Sequence, residues 1–333
     1  MRKLICVVMV LSVLGLSVAA LALESHFNQN MVIAHLPKSV GGAYFTRMYQ
    51  GFGQYSGQTG SETFQIGPSV GDAAAQNRNV QDLIAQGVDV IAVVPFSPEQ
   101  IDADLKKARD AGIIVISSEA DTLVNVDYDI EAFDNVQFGA QAAELLNQGM
   151  GGKGEVIFFV GSLASASHVT WATSAVNAMK AKYPEMKVAN AGGVFIETGN
   201  NAANAYEKAK EALKAYPSAT GIFCTSSTDV PSVARAIEEA GLVDRITYVA
   251  AGLPNATRTY VASGAIDWLM SWDPALIGLV MCRVAGAVKA GVPIKDGDDL
   301  GAFGYTKISL DGKIIKGNEW HIISAADIAK YNF

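Results

Sequence analysis

The chain has 333 residues, 50% apolar and 17% charged, with 33 Asp and Glu against 25 Lys and Arg and a formal net charge of −8. So much apolar and so little charged sequence excludes a disordered chain. The acidic balance, unrelieved by any basic run, disfavours a nucleic-acid binder, which needs a cationic footprint on phosphate. Length suggests about two domains of roughly 150 residues each.

Arg2 and Lys3 precede an uncharged, mostly apolar stretch, Leu4 to Ala20, and the small residues of Ala20-Leu21-Ala22 precede polar sequence at Glu24. This is the pattern of a cleavable secretory signal over residues 1–22. The run is marginal for spanning a bilayer, and its small-residue exit favours cleavage over a membrane anchor. Cys6 would leave with the signal, so an exported product keeps Cys224 and Cys282. Those two could pair in an oxidising compartment, but buried free thiols are the favoured reading.

Strands and helices then alternate. Met31 to Leu36 is a short apolar run, and a helix follows from about Tyr44. Glu62 to Ile66 alternates like a strand, Val70 to Gln86 has helical spacing, and Val88 to Val94 is a continuous apolar run. Pro98 to Ala111 reads as a helix and Ile113 to Ile116 as a strand. The second half repeats the scheme: strands at Val156 to Val160, Val188 to Phe195, Thr220 to Cys224 and Ile246 to Ala250, with helices at Ala166 to Lys182, Asn200 to Ala215 and Val230 to Ala240. Short β-branched runs punctuated by helices indicate parallel strands covered on both faces. The stretch from Asn79 resembles that from Lys208, and the stretch from Asp104 resembles that from Val233. The fold class is therefore α/β, two similar doubly wound lobes, with no low-complexity linker between them.

Catalytic and cofactor signatures are missing. There is no phosphate loop and no G-x-S-x-G elbow. Gly149-Met150-Gly151-Gly152 follows a helix and precedes a strand, the wrong order for a dinucleotide fingerprint. None of the four histidines lies at metal-ligand spacing from another His or a Cys, so no metal or cofactor is expected.

Ligands of open parallel sheets bind beyond the carboxyl ends of the strands. Those loops hold Lys38, Tyr44 and Phe45, then Glu119 and Asp121, then Ser167, His168 and Trp171, then Thr225, Ser226 and Ser227, and finally Trp268, Trp272 and Asp273. Carboxylates, a lysine, hydroxyls and flat aromatics in one cleft suit a polyhydroxylated ligand: charged groups bond its hydroxyls and rings cover its C–H faces. Each residue also has a plainer role open to it. Lys38 fits a solvated loop, Phe45 and Trp171 fit a core, Glu119 and Asp121 fit turn caps, His168 fits a helix start, and Trp272-Asp273-Pro274 fits a strand end opening a helix.

The leader, IAHLPKSVGGAYFTRMYQGF from Ile33, GVDVIAVVPFSPE from Gly87, GIIVISSEAD from Gly112 and SWDPALIG from Ser271 together resemble the periplasmic sugar-binding proteins of ABC importers, of the ribose-binding type. Pro37 to Phe45 and the ending Ile328 to Phe333 are most similar to the autoinducer-2-binding and rhamnose-binding group. The resemblance implies two lobes joined by three hinge crossings, the first built from residues 23–126 plus 273–309 and the second from 127–272 plus 310–333. It also implies a monomer that closes on its ligand and docks a membrane permease.

Residue by residue, the resemblance makes Lys38 the ligand-contacting lysine of autoinducer-2 binders and Phe45 the aromatic near the first strand. It makes Glu119 a lengthened version of their aspartate and Asp121 a second acid. Ser167 and His168 stand in place of an Asp–Gln pair, Thr225 and Ser227 in place of Pro and Ala, and Trp272 with Asp273 matches a Trp-Asp pair. The arginine of ribose binders is absent near His168, and Gly252 replaces their aspartate. A retained first-lobe half-site beside a rebuilt second-lobe one points to a different small sugar, deoxysugar or sugar alcohol. Three other functional classes compete with this one. A chemoreceptor-linked sensor would have the same fold. A sugar-responsive repressor would need DNA-binding helices that this chain lacks, and a secreted enzyme would need turnover in the cleft.

Overall fold

A computed structural model describes residues 25–333 except 190, 191, 193 and 194. The leader expected over residues 1–22 lies outside the described residues. The first strands and helices in chain order are β1 (Val32–Leu36), α1 (Ala43–Thr59), β2 (Glu62–Gln65), α2 (Ala73–Gln86), β3 (Val90–Val93), α3 (Pro98–Asp110), β4 (Ile114–Ser118) and β5 (Tyr128–Glu131). Then come α4 (Asn135–Met150), β6 (Gly154–Val160), α5 (Ala166–Lys182), β7 (Met186–Val188), β8 (Ile196–Glu197), α6 (Ala202–Ala215), β9 (Ala219–Cys224), α7 (Val230–Glu239) and β10 (Thr247–Ala251). The last are α8 (Pro254–Ala262), β11 (Trp268–Ser271), α9 (Pro274–Lys289), β12 (Ser309–Asp311), β13 (Ile314–Lys316) and β14 (His321–Ile323).

Two sheets form. The first runs β12-β13-β5-β4-β3-β1-β2, and the second β14-β11-β10-β9-β6-β7, with β8 also paired to β6. The five-strand cores match position for position, β5-β4-β3-β1-β2 against β11-β10-β9-β6-β7, and all their pairings are parallel. Parallel strands need helical crossovers that cover both faces, and β3 is accordingly buried at all four residues. The Asn79 and Lys208 stretches each run from a helix into the central strand of their sheet, β3 and β9, so their likeness reflects equivalent places in the two lobes.

Three expectations shift. The helix expected from Val70 begins at Ala73, because the Asp72 carboxylate caps the Ala75 N–H at 3.0 Å. The single strand expected over Val188 to Phe195 is two short strands that pair with opposite ends of β6, Met186–Val188 with Gly154–Val156 and Ile196–Glu197 with Phe159–Val160. The lobe boundaries move as well. β5 belongs to the first sheet, and so does β13, which lies parallel to it with Ile315 fully buried. The chain therefore passes between the sheets at residues 132–134, 272–273 and 317–320, not at 126 and 309. Both cysteines are buried free thiols, Cys224 in the second sheet and Cys282 in α9.

After the second crossing, α9 returns to the first lobe and packs on α1. The two helices meet through glycine. A β-carbon at Gly51 would lie 2.0 Å from the Ala275 carbonyl oxygen, and one at Gly278 would lie 2.2 Å from the Met48 carbonyl oxygen. Backbone cannot yield as a flexible side chain can, so Gly278→Val is expected to cost about 3 kcal/mol, read as a lowered midpoint in urea unfolding at unchanged m.

Candidate functional site

The carboxyl ends of both parallel sheets face one cleft between the lobes. Its lining comes from strand-end segments: Lys38, Ser39, Tyr44 and Phe45 after β1, Glu119 after β4, His168 and Trp171 on α5 after β6, Asn200 after β8, Thr225 to Thr228 after β9, Ala251 at the end of β10 and Trp272 after β11.

At the centre, Lys38 Nζ lies 2.7 Å from Glu119 Oε2, with side chains 3% and 9% exposed. Glu119 is held with φ +57°, a left-handed backbone that a non-glycine residue adopts at a cost. Burial pushes its carboxyl up, but the charge of Lys38, the nearby His168 and hydrogen bonds from Lys38 and Tyr44 prevail and hold it below the ordinary value. Burial drives the Tyr44 hydroxyl the other way, well up, and the adjacent Glu119 charge adds to it. Trp272 Nε1 donates to that hydroxyl at 3.1 Å.

The pair also spans the cleft. Lys38 Nζ donates to Ser165 Oγ at 3.0 Å, and Ser167 Oγ donates to Glu119 Oε2 at 3.3 Å. Both serines begin α5 in the second lobe, so the charges that the first lobe sets in the lining are bonded directly to the second. The cavity left between these walls is about 30 Å³, room for about one water, so a larger guest requires the lobes to part.

His168 is a neutral donor here. Burial lowers its pKa to about 3, and the Gly161 N–H donates to Nδ1 at 3.2 Å, which leaves the ring proton on Nε2. Gly161 is required at that spot, since a β-carbon would meet Asn200 Oδ1 at 2.0 Å and His168 Cε1 at 2.8 Å. Asn200 itself has φ +52°. Its Oδ1 accepts from Ser226 Oγ at 3.0 Å, and its Nδ2 is buried without an acceptor.

Rings close the remaining sides. Trp272 sits edge to face with Tyr44 at 5.8 Å and with Trp171 at 5.5 Å. Behind them stand Phe133 and Phe138, stacked at 4.3 Å, and Trp320, which meets both edge to face. Phe133, Trp272 and Trp320 come one from each crossing, so the cleft's aromatic wall is continuous with the hinge.

Of the residues singled out in the sequence, Lys38, Tyr44, Phe45, Glu119, His168, Trp171, Thr225, Ser226, Ser227 and Trp272 line the cleft together. Ser167 does not line it but bonds Glu119 from its edge. Asp121 and Asp273 are not among the lining residues. Asp273 forms a two-pronged pair with Arg47, at 2.8 and 2.7 Å, and caps α9 through the Ala275 N–H, so both its oxygens are spent on packing the first lobe. Asp121 is half-buried toward the first crossing, where burial raises its carboxyl and Lys316 opposes the rise. Ser39, Asn200, Thr228 and Ala251 also line the cleft, without a motif in the sequence that marks them. The nearest to a signal is the Gly199-Asn200 pair before a helix, since Asn tolerates left-handed backbone better than most residues.

A buried pair of this kind is sensitive to the loss of one member. Glu119→Gln leaves the ammonium buried without its counter-ion and is expected to destabilise by about 3–5 kcal/mol, while adding Lys38→Met recovers most of the loss. Because the Glu119 carboxyl is depressed on folding, its contribution is full above its unfolded value near 4.5 and lost as pH falls through the lower folded value. Acid unfolding curves of wild type and the double variant are expected to differ only below about pH 4.5.

Comparison with known proteins agrees with this architecture. The D-allose-binding periplasmic protein of Escherichia coli is 28% identical over 221 residues, 63% of this chain and 69% of that protein. LsrB from Clostridium saccharobutylicum, solved in complex with AI-2, superposes with a TM-score of 0.82 at 21% identity, covering 91% of this chain and all of that one. A Clostridium phytofermentas ABC transporter solute-binding protein with bound L-rhamnose gives 0.82 at 18% identity, covering 91% and 98%. A family model described as periplasmic binding protein domain matches residues 33–292, and with two lobes of like topology facing one cleft the chain belongs to that family.

Proposed function

We propose that the protein captures a small neutral sugar, deoxysugar or sugar alcohol between its lobes in the periplasm and hands it, unaltered, to an ABC transporter permease as a monomer. The observation that carries this reading is the composition of the cleft. One carboxylate and one ammonium neutralise each other, the histidine is uncharged, and everything else that lines it is hydroxyl, amide, methyl or ring. A charged ligand would find no counter-charge, whereas hydroxyls find Glu119 as acceptor and Asn200 Nδ2 and His168 Nε2 as donors, with Trp171 and Trp272 for the C–H faces. The sugars named for the relatives, D-allose and L-rhamnose, are of this class. The leader pattern at the N-terminus supports export, and among the described residues no helix is long and apolar enough to cross a membrane.

A second reading is favoured by Lys38 with the acid at Glu119, the half-site that resembles autoinducer-2 binders. In it the ligand is a signal molecule, AI-2, and the closed form docks a sensory receptor.

A thermal-shift panel of the exported chain against pentoses, hexoses including D-allose, L-rhamnose, xylitol and AI-2 separates the two. A ligand at 100 times its Kd adds about 2.7 kcal/mol, a shift of several degrees at this size. A sugar alone is the expected hit, AI-2 alone selects the second reading, and silence both before and after unfolding and refolding removes both. With the hit in hand, Asn200→Ala and Trp272→Ala are each expected to weaken binding by about tenfold or more, about 1.4 kcal/mol, with the circular dichroism spectrum unchanged.

A further inference from the structure

We propose that Asp129 and Glu131 hold one proton between them at neutral pH, and that the presence of this proton, felt at Trp171 through Asn135, ties closure of the cleft to pH. The proposal concerns regulation of the site described above and rests on its reading as a cleft that closes on a ligand.

Asp129 and Glu131 are two apart on β5 and so face the same side of the sheet. Both are buried, 1% and 3% exposed. Ser117 Oγ donates to Asp129 Oδ1 at 2.6 Å, and the two carboxyls stand close enough to act on each other's ionisation. Asp129 Oδ2 and Glu131 Oε1 accept from no protein donor. Two carboxylates cannot bond each other when both are ionised; one proton makes the O–H···O contact possible and removes the repulsion. Burial pushes Glu131 well up, with the Asp129 charge adding to it, and pushes Asp129 up to about 6.

The groups around the pair do not supply another charge balance. β4 presents Ser117, and the loop after it presents Asp121, a further acid. β13 presents Lys316, level with Glu131 in register, but its ammonium lies 4.0 Å from Asp134 and acts on Asp121. Tyr305 donates its hydroxyl to the Glu131 backbone carbonyl at 3.2 Å and has Glu319 on its far side. α4 presents Asn135, whose side chain stands near the Glu131 carboxyl and favours its ionised form.

Asn135 carries the coupling. Its Oδ1 accepts from Trp171 Nε1 at 2.7 Å, and Trp171 lines the cleft from the second lobe. Glu131 ends the first-lobe strand before the crossing at 132–134, and Asn135 opens the helix after it. The path Ser117–Asp129–Glu131–Asn135–Trp171 thus runs through the pivot. Parting the lobes turns this crossing, admits water to the pair and lowers its hold on the proton. The closed form then binds the proton more tightly, so rising pH favours opening. Among the cleft groups, Glu119 is depressed and His168 titrates at about 3, both below this range. Asp229, buried behind the Thr225–Thr228 loop and pushed up to about 6, is the rival in the second lobe.

The test needs no sugar, so it stands or falls separately from the ligand panel. Infrared spectroscopy of the exported chain at pH 7 is expected to show a protonated-carboxyl band that Glu131→Gln removes. Small-angle scattering from about pH 5.5 to about 8.5 is expected to show the radius of gyration of wild type rising with pH. Glu131→Gln, whose amide N–H replaces the shared proton, is expected to stay compact at both ends of the range, and Asp229→Asn to follow wild type. Asp129→Asn supplies the same donor from the other side if Glu131→Gln fails to fold. A missing band, a wild-type radius flat with pH, a Glu131→Gln radius that rises like wild type, or a rise abolished by Asp229→Asn instead would each overturn the proposal.

Discussion

An ammonium and a carboxylate, taken out of water together and set 2.7 Å apart, hold the middle of this molecule. Lys38 and Glu119 are far apart in sequence and share one lobe, yet each also bonds a serine at the start of the opposing lobe's α5. Burying such a pair is costly unless every remaining valence is met. Here Tyr44, Ser165 and Ser167 meet them, and Trp272 fixes Tyr44 in turn. The charges that could recognise a ligand are the same charges that draw the lobes together.

The frame that presents this pair is one topology used twice. Ten of the strands form two five-strand parallel sheets of identical order, turned so that their carboxyl ends oppose. What joins them is not a linker but three crossings that each add an aromatic, Phe133, Trp272 and Trp320, to a common cluster. Because Trp272 and Trp171 belong both to that cluster and to the cleft wall, movement at the hinge and shape at the site cannot be separated. α9, locked against α1 by glycine contacts, returns the second crossing to the first lobe.

Much of this was legible from the chain. The continuous apolar strands and their helical punctuation reveal parallel sheets, and the rule that ligands sit beyond strand ends selects ten residues that do line the cleft. The same rule misleads for carboxylates. Asp273 sits at a strand end because it caps a helix and pairs with Arg47, and Asp121 because it neighbours the hinge acids; nothing in their spacing distinguishes these duties from ligand contact. β5 escaped notice because Tyr-Asp-Ile-Glu reads as a polar loop until its acids are seen to share a proton-sized problem inside the sheet. β13 and β14 are three residues each, too short for any periodicity, and the strands that tie them into the two sheets, β5 and β11, lie far back in the chain.

Those two late strands have a consequence for how the protein is made. The first sheet lacks β13 until residue 316 has been synthesised, and the second lacks β14 until residue 323. Neither lobe is a contiguous stretch, so neither can be completed on the ribosome while the other waits. Distant pairing of this kind slows folding, because long loops must close before contacts repay them. The two halves of the clamp therefore become whole at nearly the same moment, when the last two strands are in place.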